Sequence, residues 1–305
     1  MATMARPSTK KNQKKNQKKK RRLRVAFQGE RGAFSEEAGR RILGEAIEPC
    51  PRREFDQMFE SVIRDEADCA VVPIENTLAG SVIKNYDLLV DNDLEIIGEV
   101  VLRVAHNLIA PKGTKLASLR RIYSHPVALA QCEDYLRKLR AENPALEVLP
   151  AYDTAGAVKM VVENRRRDEA AIASRIAAAT YHAQILAAGI ESNPQNFTRF
   201  FVMARPDRRK LIQLKRRSKM LKTSIVFRTT NKPGALFHAL EAFAKSKIDL
   251  TKIESRPIVG RPWEYSFYLD FLGDRNTPAA RRALASLTHV AESLRIFGTY
   301  PRGEQ

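Results

Sequence analysis

The chain has 305 residues, 44% of them hydrophobic, which is room for roughly two domains of about 150 residues and excludes disorder throughout. Its formal net charge of +18 is concentrated: residues 1–24 carry +11 and residues 204–222 carry +8, so the folded remainder is near neutral and a basic stripe for nucleic acid is not supported. No run approaches the ~18 apolar residues of a membrane span, and the apolar residues after the basic start are too few for a secretory signal. Three widely spaced cysteines (Cys50, Cys69, Cys132) offer no metal spacing, which predicts free thiols in a reducing, cytoplasmic setting.

Residues 1–22 form a Lys/Gln/Asn-rich tail with no apolar face to bury. Arg24–Gln28 then reads as a strand that breaks at Gly29 and Gly32, before a helix from about Ser35 with Glu36 and Glu37 in its first turn. Cys69–Pro73 reads as a buried strand, Ile74–Gly80 as a loop, Ser81–Val90 as a helix and Leu94–Ala110 as extended chain. Further on, strands are expected at Arg121–Ser124, Leu146–Ala151, Glu169–Ala173 and Phe197–Ala204. Between them lie a helix opened by Pro126 and running to about Arg140, a helix over Ala155–Glu163 capped by Asp153 or Thr154, and an Ala-rich helix after Ala173. Strands alternating with helices predict a layered α/β fold with its site in the strand-to-helix loops.

The basic segment 204–222 reads as a linker, and beyond it the pattern changes. Strands over Ser224–Thr229, Leu250–Ser255, Glu264–Phe271 and Arg295–Tyr300 alternate with helices whose inward positions are Leu236, Leu240 and Phe243, then Leu284, Leu287 and Val290 or Ala291. The order βαββαβ over about 80 residues is the ferredoxin-like plan.

Gly29-x-x-Gly32 lacks the third glycine of a dinucleotide loop, and no phosphate loop, nucleophile elbow or HExxH occurs, so no cofactor and no metal are expected. Three loops remain chemically unusual: Val72-Pro73-Ile74-Glu75-Asn76-Thr77, Ser124-His125-Pro126 leading to Ala130-Gln131-Cys132, and Asn196-Phe197-Thr198-Arg199-Phe200. Taken singly, each can be a cap, a turn or a strand edge. Together they supply amide, hydroxyl and guanidinium donors without a nucleophile–base pair, which suits an anionic substrate handled by orientation and electrostatics.

Over about residues 24–305 the chain resembles bacterial prephenate dehydratases fused to a C-terminal ACT domain. The resemblance rests on the order of VAFQGERGAFSEEA, VPIENTLAGSV, SHPVALAQC, QNFTRF and the paired motifs Gly234-Ala235-Leu236-Phe237 and Glu254-Ser255-Arg256-Pro257. It implies a catalytic domain over residues 24–203, built of two α/β lobes similar to type II periplasmic binding proteins. The chain would cross between lobes near residues 103–106 and 189–195, and an ACT regulatory domain would follow over residues 223–305. It implies conversion of prephenate to phenylpyruvate, water and carbon dioxide, with Asn76, Gln131 and Thr198 in the catalytic set. Arg199, Thr77, Ser81, Thr154 and Ser174 are expected as cleft neighbours. Phenylalanine is the expected effector, bound by Gly234, Ala235, Leu236, Phe237, Glu254, Ser255, Arg256 and Pro257 where two ACT domains meet in a homodimer or homotetramer. The family commonly has Gln where this chain has Val127, a change expected to alter packing or an indirect bond rather than the reaction.

Thr198 is expected to bond the departing hydroxyl, although a threonine hydroxyl is too weak an acid to be a strong proton source. Arg199 can serve either as a carboxylate fork or as an ion pair at a strand edge. Cys132, one residue past Gln131 and so about 100° around the helix, reads as a core thiol. Two other readings differ in consequence. An arogenate dehydratase would perform the same elimination on the amino-acid analogue. A ligand-sensing regulator would use the basic arm on nucleic acid, but no helix-turn-helix segment is evident.

Overall fold

The computed structural model describes residues 21–215, 218–258 and 260–304, so nearly all of the basic tail lies outside the described residues. The first strands and helices are β1 (Arg24–Gln28), α1 (Phe34–Leu43), β2 (Glu48–Arg52), α2 (Phe55–Ile63), β3 (Cys69–Asn76), β4 (Gly80–Ser81), α3 (Ile83–Asp91) and β5 (Glu95–Arg103). A second group follows: β6 (Asn107–Ala110), β7 (Arg121–Ser124), α4 (Pro126–Gln131), α5 (Glu133–Glu142), β8 (Glu147–Pro150), α6 (Thr154–Asn164), β9 (Glu169–Ala173), α7 (Arg175–Thr180) and β10 (Gln184–Ala188). Then come β11 (Phe197–Ala204), β12 (Leu221–Thr229), α8 (Ala235–Lys245), β13 (Leu250–Ile258), β14 (Arg261–Leu272), α9 (Pro278–Val290) and β15 (Ala291–Pro301).

The first lobe is built on the sheet β2-β1-β3-β11-β5, with β4 paired to β3, and the second on β10-β6-β9-β7-β8. The chain leaves the first sheet after Arg103, enters the second at Asn107, and returns after Ala188 to add β11 between β3 and β5. Ile74, Glu75 and Asn76 continue the strand rather than forming the expected loop, because β11 pairs with β3 as far as Asn76. The helix expected from Pro126 to Arg140 is two, interrupted at Cys132. The strand β2, with two prolines, lies at a sheet edge where missing N–H groups are tolerated. The helix α2 buries Met58, Phe59 and Val62, an i, i+1, i+4 set.

The lobes touch where the Gly29–Gly32 turn meets the starts of α6 and α7. A Cβ on Gly32 would lie 2.6 Å from Ala177 Cα, and its carbonyl accepts a bond from Ser174 at 2.6 Å, so the glycine serves close lobe-to-lobe approach. The two crossing segments are tied by Arg103, which donates to the Pro194 carbonyl and to Glu191.

The third sheet, β13-β14-β12-β15, carries α8 and α9 in the βαββαβ order and pairs antiparallel throughout. It does not hang from a free linker. One apolar cluster runs from Met58, Phe59, Tyr86, Leu89, Ile96 and Phe201 of the first lobe into Val226, Tyr268, Phe297 and Tyr300 of the third sheet. The backbones are close enough that a Cβ on Gly298 would lie 2.1 Å from the Ile96 carbonyl oxygen. The basic segment is strapped down as well: Arg208 pairs with Asp65, Arg209 with Glu95, and Ile212 is buried. No helix among the described residues is long and apolar enough to cross a membrane.

A shared core predicts cooperative unfolding. Phe297→Ala, at a site 2% exposed, is expected to cost about 3–5 kcal/mol. Both domains should lose structure in one transition in denaturant melts followed by near-UV circular dichroism. Two separated transitions in the wild type would contradict this.

Candidate active site

Between the lobes lies a cavity of about 420 Å³. The first lobe contributes Gln28, Phe34, Ser35, Phe55, Pro73, Asn76, Ser81, Thr198 and Phe200, and the second His125, Val127, Ala128, Gln131, Tyr152, Asp153 and Thr154. Val104 and His106 line it from the crossing segment. Strand register supplies the central pair. Thr198 on β11 stands opposite Asn76 on β3, and a bulge skips Ile74, pairing Arg199 with Glu75 and Phe200 with Pro73. The bulge keeps Pro73 and Asn76 on the cleft side together with Thr198 and Phe200.

The expected trio of Asn76, Gln131 and Thr198 is brought together. The Asn76 amide nitrogen donates to Thr198 Oγ1 (2.9 Å) and to Asn196 Oδ1 (2.7 Å). Its carbonyl oxygen accepts the backbone N–H groups of Leu78 and Ala79, so the loop that follows it is folded around the side chain. The Asn196 amide donates to Gln131 Oε1 (2.9 Å), and Gln131 Nε2 approaches Asn76 Oδ1 at 3.4 Å. Because Thr198 Oγ1 accepts from Asn76, its own proton is free to point at a ligand. Gln131 likewise keeps an amide hydrogen for the cavity.

Two members of this network were not among the expected site residues, although Asn196 opens one of the three unusual loops. Asn196 is fully buried and joins Asn76 to Gln131. His106, 2% exposed, sets its Nε2 2.9 Å from Gln131 Oε1 and its ring edge-on to Phe34. Burial pushes the His106 pKa down, opposed by the Gln131 bond and the Glu191 charge. With Asn196 already donating to the same oxygen, a neutral His106 completes the set by donating from Nε2. Asp153 caps α6 and receives the Glu30 N–H at 2.7 Å. Burial pushes its carboxyl up, against the backbone donors of Glu30, Ala155 and Gly156. Burial pushes the Cys132 thiol up to about 12, and the residue is 0% exposed, as a core thiol should be.

Other expected cleft residues take different positions. Arg199 points to the opposite face of β11 and joins Glu75, Glu99 and Asp270, because side chains alternate along a strand and Thr198 takes the cleft side. The ion-pair reading of Arg199 therefore holds over the carboxylate fork, and the described cavity wall carries no Lys or Arg. Thr77 also faces away: its hydroxyl donates to the Gln195 carbonyl and accepts from the Phe197 N–H. Ser174 is fully buried as the cap of α7 and supports the lobe contact instead of a ligand. Thr154 does line the cavity. Ser81 lines it too, yet its hydroxyl donates to Glu254 at 2.7 Å. Val127 stands in the cavity wall at 43% exposure, so its change of side chain meets the ligand space directly and not through an intermediate bond.

Gly234 caps α8 with φ of +81°, and Ala235 opens the helix. Leu236 packs against the core of the third sheet, whereas Phe237 is 63% exposed. Glu254, Ser255, Arg256 and Pro257 all lie inside β13, which runs past its expected end at Ser255. Glu254 is engaged by Ser81 and Lys252, and Arg256 lies 3.6 Å from Asp87.

A family model described as "Prephenate dehydratase" matches residues 25–208, and one described as "ACT domain" matches residues 223–289. Arogenate dehydratase/prephenate dehydratase 2, chloroplastic, of Arabidopsis thaliana is 43% identical over 289 residues, covering 92% of this chain and 73% of its own length. A crystal structure of prephenate dehydratase in complex with L-Phe from Arthrobacter aurescens superposes with TM-score 0.80 at 32% identity, covering 92% of this chain and 90% of that one. A structure titled "GqqA- a novel type of quorum quenching acylases" superposes with TM-score 0.81 at 34% identity, covering 92% and 98%.

The lowered His106 pKa has a sign that can be tested. The unfolded chain takes up a proton near the ordinary histidine value of about 6.5, while the folded site resists it, so the unfolded state binds more protons there. Stability should therefore fall as pH drops from about 7 to about 5, and His106→Gln should flatten that slope in urea melts. Equal slopes in both proteins would clear His106 of the effect.

Proposed function

The chain belongs to the prephenate dehydratase family and carries an ACT domain, and from that premise we propose that it converts prephenate to phenylpyruvate, water and carbon dioxide under feedback by phenylalanine. The observation that carries the reading is the convergence of Asn76, Asn196, Gln131 and Thr198 from both lobes on one cavity. The ring carboxylate leaves as carbon dioxide, its bonding electrons aromatise the ring, and the hydroxyl departs with a proton as water. Aromatisation drives the step, so the site needs donors at the departing oxygen and has no electrons to store. The Thr198 hydroxyl, aligned by Asn76, donates to that oxygen, while the Gln131 amide meets a carboxylate or the hydroxyl. Phe34, Phe55, Pro73 and Phe200 give the ring an apolar wall and leave its carboxylate poorly solvated.

Arogenate is a second substrate to test, since the Arabidopsis relative's name carries both activities. Asp153 is a carboxylate on the cavity wall, a group that suits the ammonium by which arogenate differs from prephenate. Against an acylase reading, the Cys132 thiol is buried, and the carboxylate that Ser81 meets, Glu254, is also bound by Lys252 and held below its ordinary pKa against the effect of burial, which makes it a weak base.

Feedback is assigned to the third sheet. The strand β13 lies at its edge, and Phe237, Ile253, Tyr265 and Trp263 are exposed on the same domain, a combination that suits pairing with a second copy. Two copies would set Phe237 and the α8 N-terminus of one chain against the Glu254–Pro257 segment of the other, with phenylalanine between them. A cytoplasmic location fits the three free cysteines.

Incubation with prephenate and, separately, arogenate, with and without phenylalanine, tests the reading; turnover of neither would sink it. Thr198→Ala should lower kcat by about 10²–10³ while changing KM little, and Thr198→Ser should restore much of the rate. A folded Thr198→Ala enzyme with wild-type kcat would remove Thr198 from the mechanism.

A further inference from the structure

Arg199 follows Thr198 in sequence but acts on the other side of the sheet. One guanidinium nitrogen donates to Asp270 (2.6 Å) and to Glu99 (3.2 Å), and the other donates to Glu75 (2.9 Å). A single planar fork thus joins β3, β5 and the ACT strand β14. The side chains of Arg199, Glu99 and Asp270 are 12%, 1% and 7% exposed. Lys222, also buried, binds Glu99 at 2.8 Å from the ACT side. Charges so far from water persist only with their partners in place, because removal of one leaves another uncompensated.

The same two strands hold the site. Glu75 precedes Asn76 and Arg199 follows Thr198, while Asn76 and Thr198 are register partners. Neighbouring residues on a strand point to opposite faces, so the backbone that places the cleft hydroxyl and amide is the backbone fixed from behind by the ionic cluster. A second contact acts in parallel: Ser81, at the far end of the loop that Asn76 organises, is bonded to Glu254 of the ACT domain.

We propose that Arg199 is a positioning residue whose ion pair with Asp270 makes the placement of Thr198 and Asn76 depend on the seating of the ACT domain. The inference rests on the dehydratase reading of the cleft. The ACT domain then supports the catalytic strands from behind as well as sensing an effector. Loss of the Asp270 charge leaves the fork paired with Glu75 and Glu99 but removes its direct contact with the ACT domain, so that only the relayed pairs Lys252–Glu75 and Lys222–Glu99 still reach it.

The test compares full-length Asp270→Asn and Arg199→Lys with Tyr268→Phe. Tyr268 lies on the same ACT strand and in the same interface, but its hydroxyl donates to the Tyr86 carbonyl, away from the fork. Asp270→Asn is expected to lower kcat by about tenfold to about 10²-fold at little-changed KM, the scale of a small misplacement of a reacting group. Inhibition by phenylalanine should weaken with it. Arg199→Lys, which keeps the charge and loses the fork, should move the same way to a smaller extent. Tyr268→Phe should keep wild-type kcat. Amide hydrogen exchange at residues 74–76 and 197–200 reads the displacement without substrate: faster in the two fork variants and unchanged in Tyr268→Phe. Wild-type kcat and exchange in folded Asp270→Asn would overturn the proposal, as would an equal kcat loss in Tyr268→Phe at an equal fall in melting temperature. Should Asp270→Asn fail to fold, wild-type kcat and exchange in Arg199→Lys would overturn it just as well. A wild type inert toward both prephenate and arogenate would instead sink the functional reading, leaving the exchange result to decide this one.

Discussion

The pairing of β11 with β3 is the constraint on which the rest of the molecule depends. The chain builds most of the first lobe, crosses to the second, and then returns to insert one strand between β3 and β5. That return sets Thr198 opposite Asn76 across 122 residues of sequence. It also brings back Asn196, which precedes the strand and carries the network across to Gln131. Without the inserted strand and the residue before it, the Asn76 amide nitrogen would lose all of its acceptors and Gln131 would lose its Asn196 donor. The closure of a loop this long is costly in entropy but grows only slowly with length, so a stretch the size of a lobe can be enclosed between two site strands.

The inserted strand separates two kinds of polar chemistry. On the cleft side the network is neutral, made of amides, a hydroxyl and an imidazole that burial disfavours charging. On the ACT side it is ionic. Burial alone would lower the Arg199 pKa, yet Asp270 and Glu99 hold it well above the ordinary value. Burial would raise the Asp270 carboxyl, yet Arg199 and Lys222 hold it below the usual carboxylate range. The division has a mechanistic use. Fixed dipoles can bond a doubly anionic substrate without pinning its ring carboxylate in an ion pair, which would oppose decarboxylation. Full charges, in contrast, suit an interface that must hold one geometry.

Most of the fold was legible from periodicity. The strands Arg24–Gln28, Arg121–Ser124, Glu169–Ala173 and Phe197–Ala204 lie where the apolar runs put them, since buried strands in α/β layers leave such runs uninterrupted. The proline-bearing β2 escaped because its pairing is granted by an edge position that only the assembled sheet defines. The trio of Asn76, Gln131 and Thr198 was legible through motif order. Arg199 was placed in the cleft by its neighbourhood in the sequence, and strand alternation moves it behind the sheet; Thr198 and Arg199 cannot both face one cavity. Asn196 and His106 act through their geometry relative to other side chains, which no local pattern encodes. The basic segment looked like a solvated linker because its carboxylate partners, Asp65 and Glu95, lie more than a hundred residues earlier.

That strapped segment changes how an effector signal can travel. A flexible tether transmits little beyond local concentration, whereas the start of this linker is pinned by Arg208, Arg209 and Ile212. The ACT domain meets the first lobe instead through a continuous apolar core and a buried ionic cluster, both of which pack in discrete arrangements and resist gradual deformation. An effector that favours one arrangement of the ACT sheet must therefore either carry the catalytic strands with it or break the interface. Glu254 places the choice close to the cavity. It belongs to the motif that the family resemblance implies for effector binding, and it already accepts a bond from Ser81 in the cleft wall. A ligand ammonium that drew on the Glu254 carboxylate would compete with the Ser81 hydroxyl for the same oxygen, and the energy of that exchange is the differential interaction that any coupling between the two sites requires.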